Sequence, residues 1–167
     1  MSYKLVYFGN ETLRKEAQII ENIDGKLIDL IDSMYTVMYK SKGVGLAAPQ
    51  VDVGKRLLVL DIEDSDGPIL TLINPVIKEF SDRVEPYEEG CLSLPGISKT
   101  IVRPSEILVE AIDADGNELQ IETDGLLARV LQHEIDHLDG KVFIDHIEKH
   151  ERDELRPILK KIKRMNR

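Results

Sequence analysis

Gln132-His133-Glu134-Ile135-Asp136-His137-Leu138-Asp139-Gly140 governs the reading of the whole chain. Residues four apart on an α-helix lie one above the other, so His133 and His137 can turn two imidazoles toward one metal ion. Glu134 then stands beside that ion without ligating it. Two nitrogen ligands and a nearby carboxylate are what activation of a water requires. The flanking sequence predicts the helix: Asp124 is a candidate N-cap, Leu126, Leu127, Val130, Leu131 and Leu138 form an apolar stripe, and Gly140 can end it. A buried amphipathic helix with two incidental histidines would carry the same pattern. The helix by itself also lacks a third ligand.

The rest of the chain sets bounds on that reading. A length of 167 residues suits one catalytic domain spanning 1–167, with a core large enough to need no staples. Apolar content of 42% and charged content of 32% match ordinary soluble globular proteins. No apolar run is long enough to span a bilayer, and Met1-Ser2-Tyr3-Lys4 does not have the form of a signal peptide. The lone cysteine, Cys91, excludes an internal disulfide and fits a reducing cytoplasm. A net charge of −9 argues against broad nucleic-acid binding. The charge is uneven, however: Arg156, Lys160, Lys161, Lys163, Arg164 and Arg167 close the chain with no acid among them.

Along the chain, Asn10 can cap a short helix over residues 11–17. Asp24 can cap a second helix reaching Lys40, with Leu27, Ile31, Met34 and Met38 at helical spacing. Gly43-Val44-Gly45-Leu46-Ala47-Ala48-Pro49-Gln50 follows. Its G-x-G-x-x-A spacing imitates a dinucleotide fingerprint, but that motif needs a strand before the glycines and a helix after them. Here a helix enters and Pro49 with a strand leaves, so the small residues read better as a point of close approach. Arg56–Ile62, Ile69–Ile73 and Val76–Phe80 read as short strands, with Pro68 and Asn74-Pro75 as punctuation. Ile107–Ile112 and Glu118–Glu122 flank the turn signal Asp113-Ala114-Asp115-Gly116-Asn117. A helix, several strands, the metal helix and a helical tail over 148–167, without βαβ alternation, predict an α+β fold. Mostly antiparallel sheets would pack around the central metal-binding helix.

Cys91 lies in Glu88-Glu89-Gly90-Cys91-Leu92-Ser93-Leu94-Pro95-Gly96, where flanking glycines and proline predict an irregular exposed turn. A free thiol is often an inert core residue, but here it also offers the missing ligand. One thiolate and two imidazoles leave a fourth tetrahedral position open, the mark of a catalytic site. Thiolate suits both Fe(II) and Zn(II), and ligand softness does not choose between them.

Gly43–Gln50, Glu89–Ser93 and Gln132–Gly140 together resemble the three signature motifs of the peptide deformylases, in the family's order: G-x-G-x-A-A-x-Q, E-G-C-L-S and H-E-x-D-H-x-x-G. Every fixed position is met, and the resemblance covers essentially the whole chain. The absence of a long insertion between the first two motifs, and the polar tail, look like the bacterial first-class enzymes. The resemblance implies removal of the formyl group from N-formylmethionine on nascent polypeptides by a cytoplasmic monomer. It implies Cys91, His133 and His137 as ligands of Fe(II), which Zn(II), Ni(II) or Co(II) can replace. It gives Glu134 the part of general base, and gives Gln50 with the Leu92 backbone N–H that of oxyanion donors. Gly45 and Gly90 would line the substrate backbone. Val44, Leu92, Leu126 and Arg129 would border the methionine pocket, Arg129 with its stem along the wall and its charge in solvent. Glu89 is expected to pair with Arg103 or to form a plain surface pair, Asp136 is left open between support of the site and a solvated position, and His146 and His150 read as surface residues. The basic tail suits either the helix dipole or, by resemblance, ribosomal RNA.

Three rival readings stand beside this one. A zinc endopeptidase would take a downstream third ligand, and neither His146 nor His150 has metzincin spacing. A cysteine hydrolase with Cys91 as nucleophile would need no metal. A non-catalytic metal-binding domain would leave Glu134 and Gln50 without a part.

Overall fold

The computed structural model describes residues 2–166, so Met1 and the Arg167 of the basic tail lie outside the described residues. A 3-10 turn over Glu11–Arg14, capped by the Asn10 side chain, stands where a short helix is expected. Helix α1 runs Gly25–Lys40, and Asp24 Oδ1 accepts from Leu27 N at 2.9 Å. Seven strands follow: β1 Gly45–Ala47, β2 Leu57–Asp61, β3 Ile69–Phe80, β4 Val84–Cys91, β5 Leu94–Pro104, β6 Glu106–Ile112 and β7 Glu118–Asp124. Helix α2 spans Gly125–Leu138, and the tail holds α3 Lys149–Glu154 and α4 Arg156–Lys163. Every strand pairing is antiparallel. Five strands form one sheet in the order β1-β2-β3-β6-β7, and β4 with β5 form a separate two-stranded sheet.

The large sheet is covered on both faces, which explains the unbroken apolar run of β2. Successive side chains point to opposite faces of a strand. Leu57 and Val59 accordingly pack with Leu27, Leu30, Ile31, Met34 and Met38 of α1. Leu58 and Leu60 pack with Ala128, Leu131, Ile135 and Leu138 of α2. Full burial of such a side chain contributes about 1.5–3 kcal/mol, so this one strand joins both halves of the core. A third cluster gathers Leu94, Ile97 and Ile101 of β5 with Phe143, Ile144, Ile147 and Ile162. It fixes the tail against the small sheet.

Four expectations are corrected. Ile69–Ile73 and Val76–Phe80 are one strand, not two. The pairing with β6 shifts between Ile73 and Val76, and Asn74 takes φ 52°. Asn74 holds this bulge by bonding the N–H and carbonyl of Ile20 at 2.9 and 2.8 Å, while Pro75 has no N–H to lose. Cys91 is not in an irregular loop: it ends β4, at a register shift just before the tight Leu92-Ser93 turn. The tail is two helices rather than one, because Pro157 cannot donate back to the preceding turn. Asp124 occupies the N-cap position of α2, yet its side chain makes no capping bond. Among the described residues, no helix is long and apolar enough to cross a membrane.

Gly140, expected to stop α2, does so in the left-handed region at φ 74°. A Cβ there would lie 2.7 Å from the Arg14 carbonyl oxygen, so strain and a backbone clash coincide. Gly140→Ala is expected to cost more than about 1 kcal/mol in urea unfolding. Gly54→Ala, where a Cβ meets nothing within 4 Å, should stay within about 0.5 kcal/mol of wild type.

Candidate active site

Helix α2 is buried at ten of its fourteen positions, including Arg129, Gln132, His133, Glu134 and His137. Buried polar side chains need partners, and the partners define the site. Gln132 Nε2 donates to the Pro104 carbonyl at 2.9 Å, tying α2 to β5. His133 Nδ1 lies 2.9 Å from Glu89 Oε1. Burial alone would raise the Glu89 carboxyl, but hydrogen bonds from His133 and Arg103 hold it well below the usual carboxylate range. Ionised Glu89 only accepts, so His133 Nδ1 donates to it, which leaves Nε2 as the ring nitrogen available to a metal.

Cys91, at the end of β4, completes the cluster. Ligand atoms of Cys91, His133 and His137 lie within 4.8 Å of one another, and Cys91 Sγ is 3.3 Å from His137 Nε2. Glu134 Oε1 and His137 Nδ1 are buried without a partner. A thiol, two imidazoles and an unsatisfied carboxylate oxygen in one place fit a divalent metal with a position left open. Burial raises the Glu134 carboxyl to about 7, with the Glu89 charge adding and His133 opposing. Burial and then the charge of His133 lower His137 to about 3. His133 goes the other way: burial opposes its protonation, but Glu134, Cys91 and Glu89 outweigh it. Glu134 can thus both take and give a proton near neutrality, as general acid–base work demands.

The glycine stretch brings in the second side of the site. Gly45 belongs to edge strand β1, and a Cβ on it would come 2.7 Å from Glu134 Oε2; one on Gly43 would come 2.6 Å from Leu92 Cδ1. Close approach is therefore the reason for the small residues. A 3-10 turn, Ala48–Val51, follows β1 and presents Gln50. Gln50 is held at its oxygen by the Ala47 N–H at 2.9 Å, which aims its amide nitrogen at Cys91 Sγ (3.5 Å) and Ser93 Oγ (3.2 Å). Ser93 is in turn anchored on the Val6 carbonyl.

A cavity of about 410 Å³ opens on this cluster. Val44, Gly45, Gly90, Leu92, Leu126 and Arg129, all singled out from the sequence, line it. Tyr87, Ile97 and Val130 line it as well and were missed. The first two lie in the β4–β5 hairpin; the alternation of Glu85, Tyr87, Glu89 and Cys91 on one face was the available signal.

Arg129 requires correction. Its charge is not in solvent: Nη1 donates to Glu89 Oε2 (2.8 Å) and the Ile101 carbonyl (3.0 Å), and Nη2 to the Glu85 carbonyl (2.7 Å). The guanidinium finds a carboxylate and two carbonyls of the hairpin within reach, so it turns inward. The Glu89–Arg103 pair is present and buried, with Arg103 Nε and Nη2 donating at 2.7 and 2.9 Å. Asp136 is not a solvated position: it accepts from Arg103 Nη1 at 2.8 Å and lies 2.8 Å from His146 Nε2. His146 is exposed, as expected, and lies against Asp136, and exposed His150 pairs with exposed Glu148.

The geometry has matching relatives. A family model described as polypeptide deformylase matches residues 2–153. The peptide deformylase of Picosynechococcus is 48% identical over 148 residues, covering 87% of this chain and 79% of that protein. That of Brachyspira hyodysenteriae is 44% identical over 168 residues, covering 98% and 90%. The crystal structure of a peptide deformylase from Legionella pneumophila superposes with a TM-score of 0.90 at 42% identity, covering 99% of this chain and 97% of that one. The Ehrlichia chaffeensis peptide deformylase, crystallised in complex with actinonin, gives 0.89 at 39% identity, covering 100% and 99%. A match spanning the glycine stretch, the cysteine hairpin and the histidine helix, in sequence and in fold, places this chain in the polypeptide deformylase family.

Proposed function

We propose that this chain hydrolyses the N-formyl group of formylmethionine at the start of nascent polypeptides and releases formate, using a divalent metal held by Cys91, His133 and His137. The observation that carries the reading is the convergence of those three side chains with the unpaired Glu134 carboxylate at one end of the cavity. Fe(II) is the metal inferred, with Zn(II), Ni(II) or Co(II) able to stand in. Such an ion supplies Lewis acidity, bringing a water's pKa toward neutrality and polarising the formyl carbonyl.

The protein does the rest. Glu134 accepts the proton of the attacking water and returns it to the leaving amine. Gln50, locked by Ala47, offers its amide to the developing oxyanion together with the Leu92 backbone N–H. Gly45 and Gly90 let the substrate backbone approach, and Val44, Leu126 and the buried stem of Arg129 border the methionine side chain. The unpaired thiol and the absence of a membrane-spanning helix among the described residues support a cytoplasmic setting. Exposed Lys160 and Lys161 on α4, whose Ile162 is buried, support attraction of the tail to ribosomal phosphates.

Anaerobic reconstitution with Fe(II), Ni(II) or Zn(II), followed by formate release from a formyl-Met-Ala-Ser peptide, tests the reading. Chelator-sensitive formate release with little acetate from the acetylated peptide is expected. No turnover with any bound metal would overturn it. Glu134→Ala should keep its metal by elemental analysis and lose activity about a hundred- to ten-thousand-fold; near-normal turnover removes Glu134 from the mechanism. Gln50→Ala should lower kcat about a hundred- to a thousand-fold while moving KM far less. Because Asn166 bonds the backbone of Tyr7, deleting the tail would disturb the fold. Lys160→Glu with Lys161→Glu is the cleaner change, and unaltered, salt-sensitive ribosome binding would refute the tail's part.

A further inference from the structure

The Glu89 carboxylate is filled to capacity. Oε1 takes Arg103 Nη2 and His133 Nδ1; Oε2 takes Arg103 Nε and Arg129 Nη1, all at 2.7–2.9 Å. Arg103 alone would fix the carboxylate through its two-pronged contact, so the second guanidinium calls for a reason. A buried cation with no need for it would cost stability. Its other bonds supply the reason: Arg129 joins the Glu85 carbonyl of β4 to the Ile101 carbonyl of β5 from a position on α2. Glu85 and Ile101 lie on opposite strands of the hairpin that ends in Cys91, and Tyr87 covers the guanidinium with its ring 5.5 Å away.

We infer that Arg129 is a positioning residue for the metal centre: it locks the hairpin carrying Cys91 to the helix carrying His133 and His137, and holds Glu89 against the His133 ring. The three donor atoms come from two elements with no covalent link near the site, so their separation depends on this junction. Arg129 touches cavity, carboxylate and both strands at once. The inference rests on the proposed metal site and extends it from the ligands to the residue that keeps them in register.

Arg129→Met preserves the bulk of the pocket wall and removes the three hydrogen bonds; Arg129→Lys preserves one charge but cannot serve Glu89 and both carbonyls. Loss of a group orienting a metal ligand typically weakens retention about 10- to 100-fold. Co(II)-loaded wild type and variants would be challenged with excess chelator, following release by the cobalt–thiolate absorption, with kcat and KM measured separately. Arg129→Met should release metal about 10- to 100-fold faster and lose kcat with little change in KM, and Arg129→Lys should fall between it and wild type. Release at the wild-type rate from either folded variant, or a change confined to KM, overturns the inference and leaves Arg129 as pocket wall only. If Arg129→Met does not fold, Arg129→Lys carries the test by the same criterion. A wild type that fails to retain Co(II) refutes the metal site itself, a different and separable outcome.

Discussion

Burying a helix that carries charged side chains is costly unless every charge finds a partner, and α2 is such a helix. Its Arg129 and His133 both converge on Glu89, and Glu89 is held in turn by Arg103, which also reaches Asp136 one turn further along. The small β4–β5 sheet meets that requirement: it contributes Glu89 and Arg103 as side chains and three carbonyls as acceptors. An apolar helix could have packed there with fewer conditions. This one tolerates little displacement, because Arg129, Gln132 and His133 keep their partners only in this arrangement. The placement of Cys91, His133 and His137 is thus a consequence of polar burial.

Against that satisfied network, one carboxylate oxygen stands out. Glu134 Oε1 is buried with no partner, next to a carboxylate that accepts four hydrogen bonds. The two glutamates differ in environment rather than in type. Glu89 is kept ionised by its donors and serves as a fixed anion, whereas burial lifts Glu134 to about 7 and makes it able to exchange a proton. Gly45 permits this: with no side chain, β1 lies against the Glu134 carboxylate, where a Cβ would come 2.7 Å from Oε2.

Much of the architecture was legible because the physics was local. The N-cap and stripe of α1, the β6–β7 turn, the paired histidines at one helical turn and the stop at Gly140 depend on neighbours within a few residues. The β4–β5 hairpin was not legible. Its strands mix charges, prolines and glycines with the apolar residues Leu94, Ile97 and Ile101, since one part of its surface meets α2 with polar groups and another joins the core. The bulge at Asn74 was hidden for a related reason. Its stabilising partner, Ile20, is 54 residues away, so Asn-Pro reads locally as an interruption.

The candidate site divides along the same line. Residue type and spacing by themselves determined that two imidazoles share a helix face, that Glu134 flanks them, and that Cys91 and Gln50 offer a ligand and an amide. Only the tertiary structure decided that these side chains meet, because their separation is set by the packing of β1, the hairpin and α2 on one another. It also decided the direction of Arg129 and the engagement of Asp136 and His146. A long charged side chain carries no signal for which way it turns; that depends on whether unpaired carbonyls and a carboxylate lie within reach, and here the folded hairpin put them there.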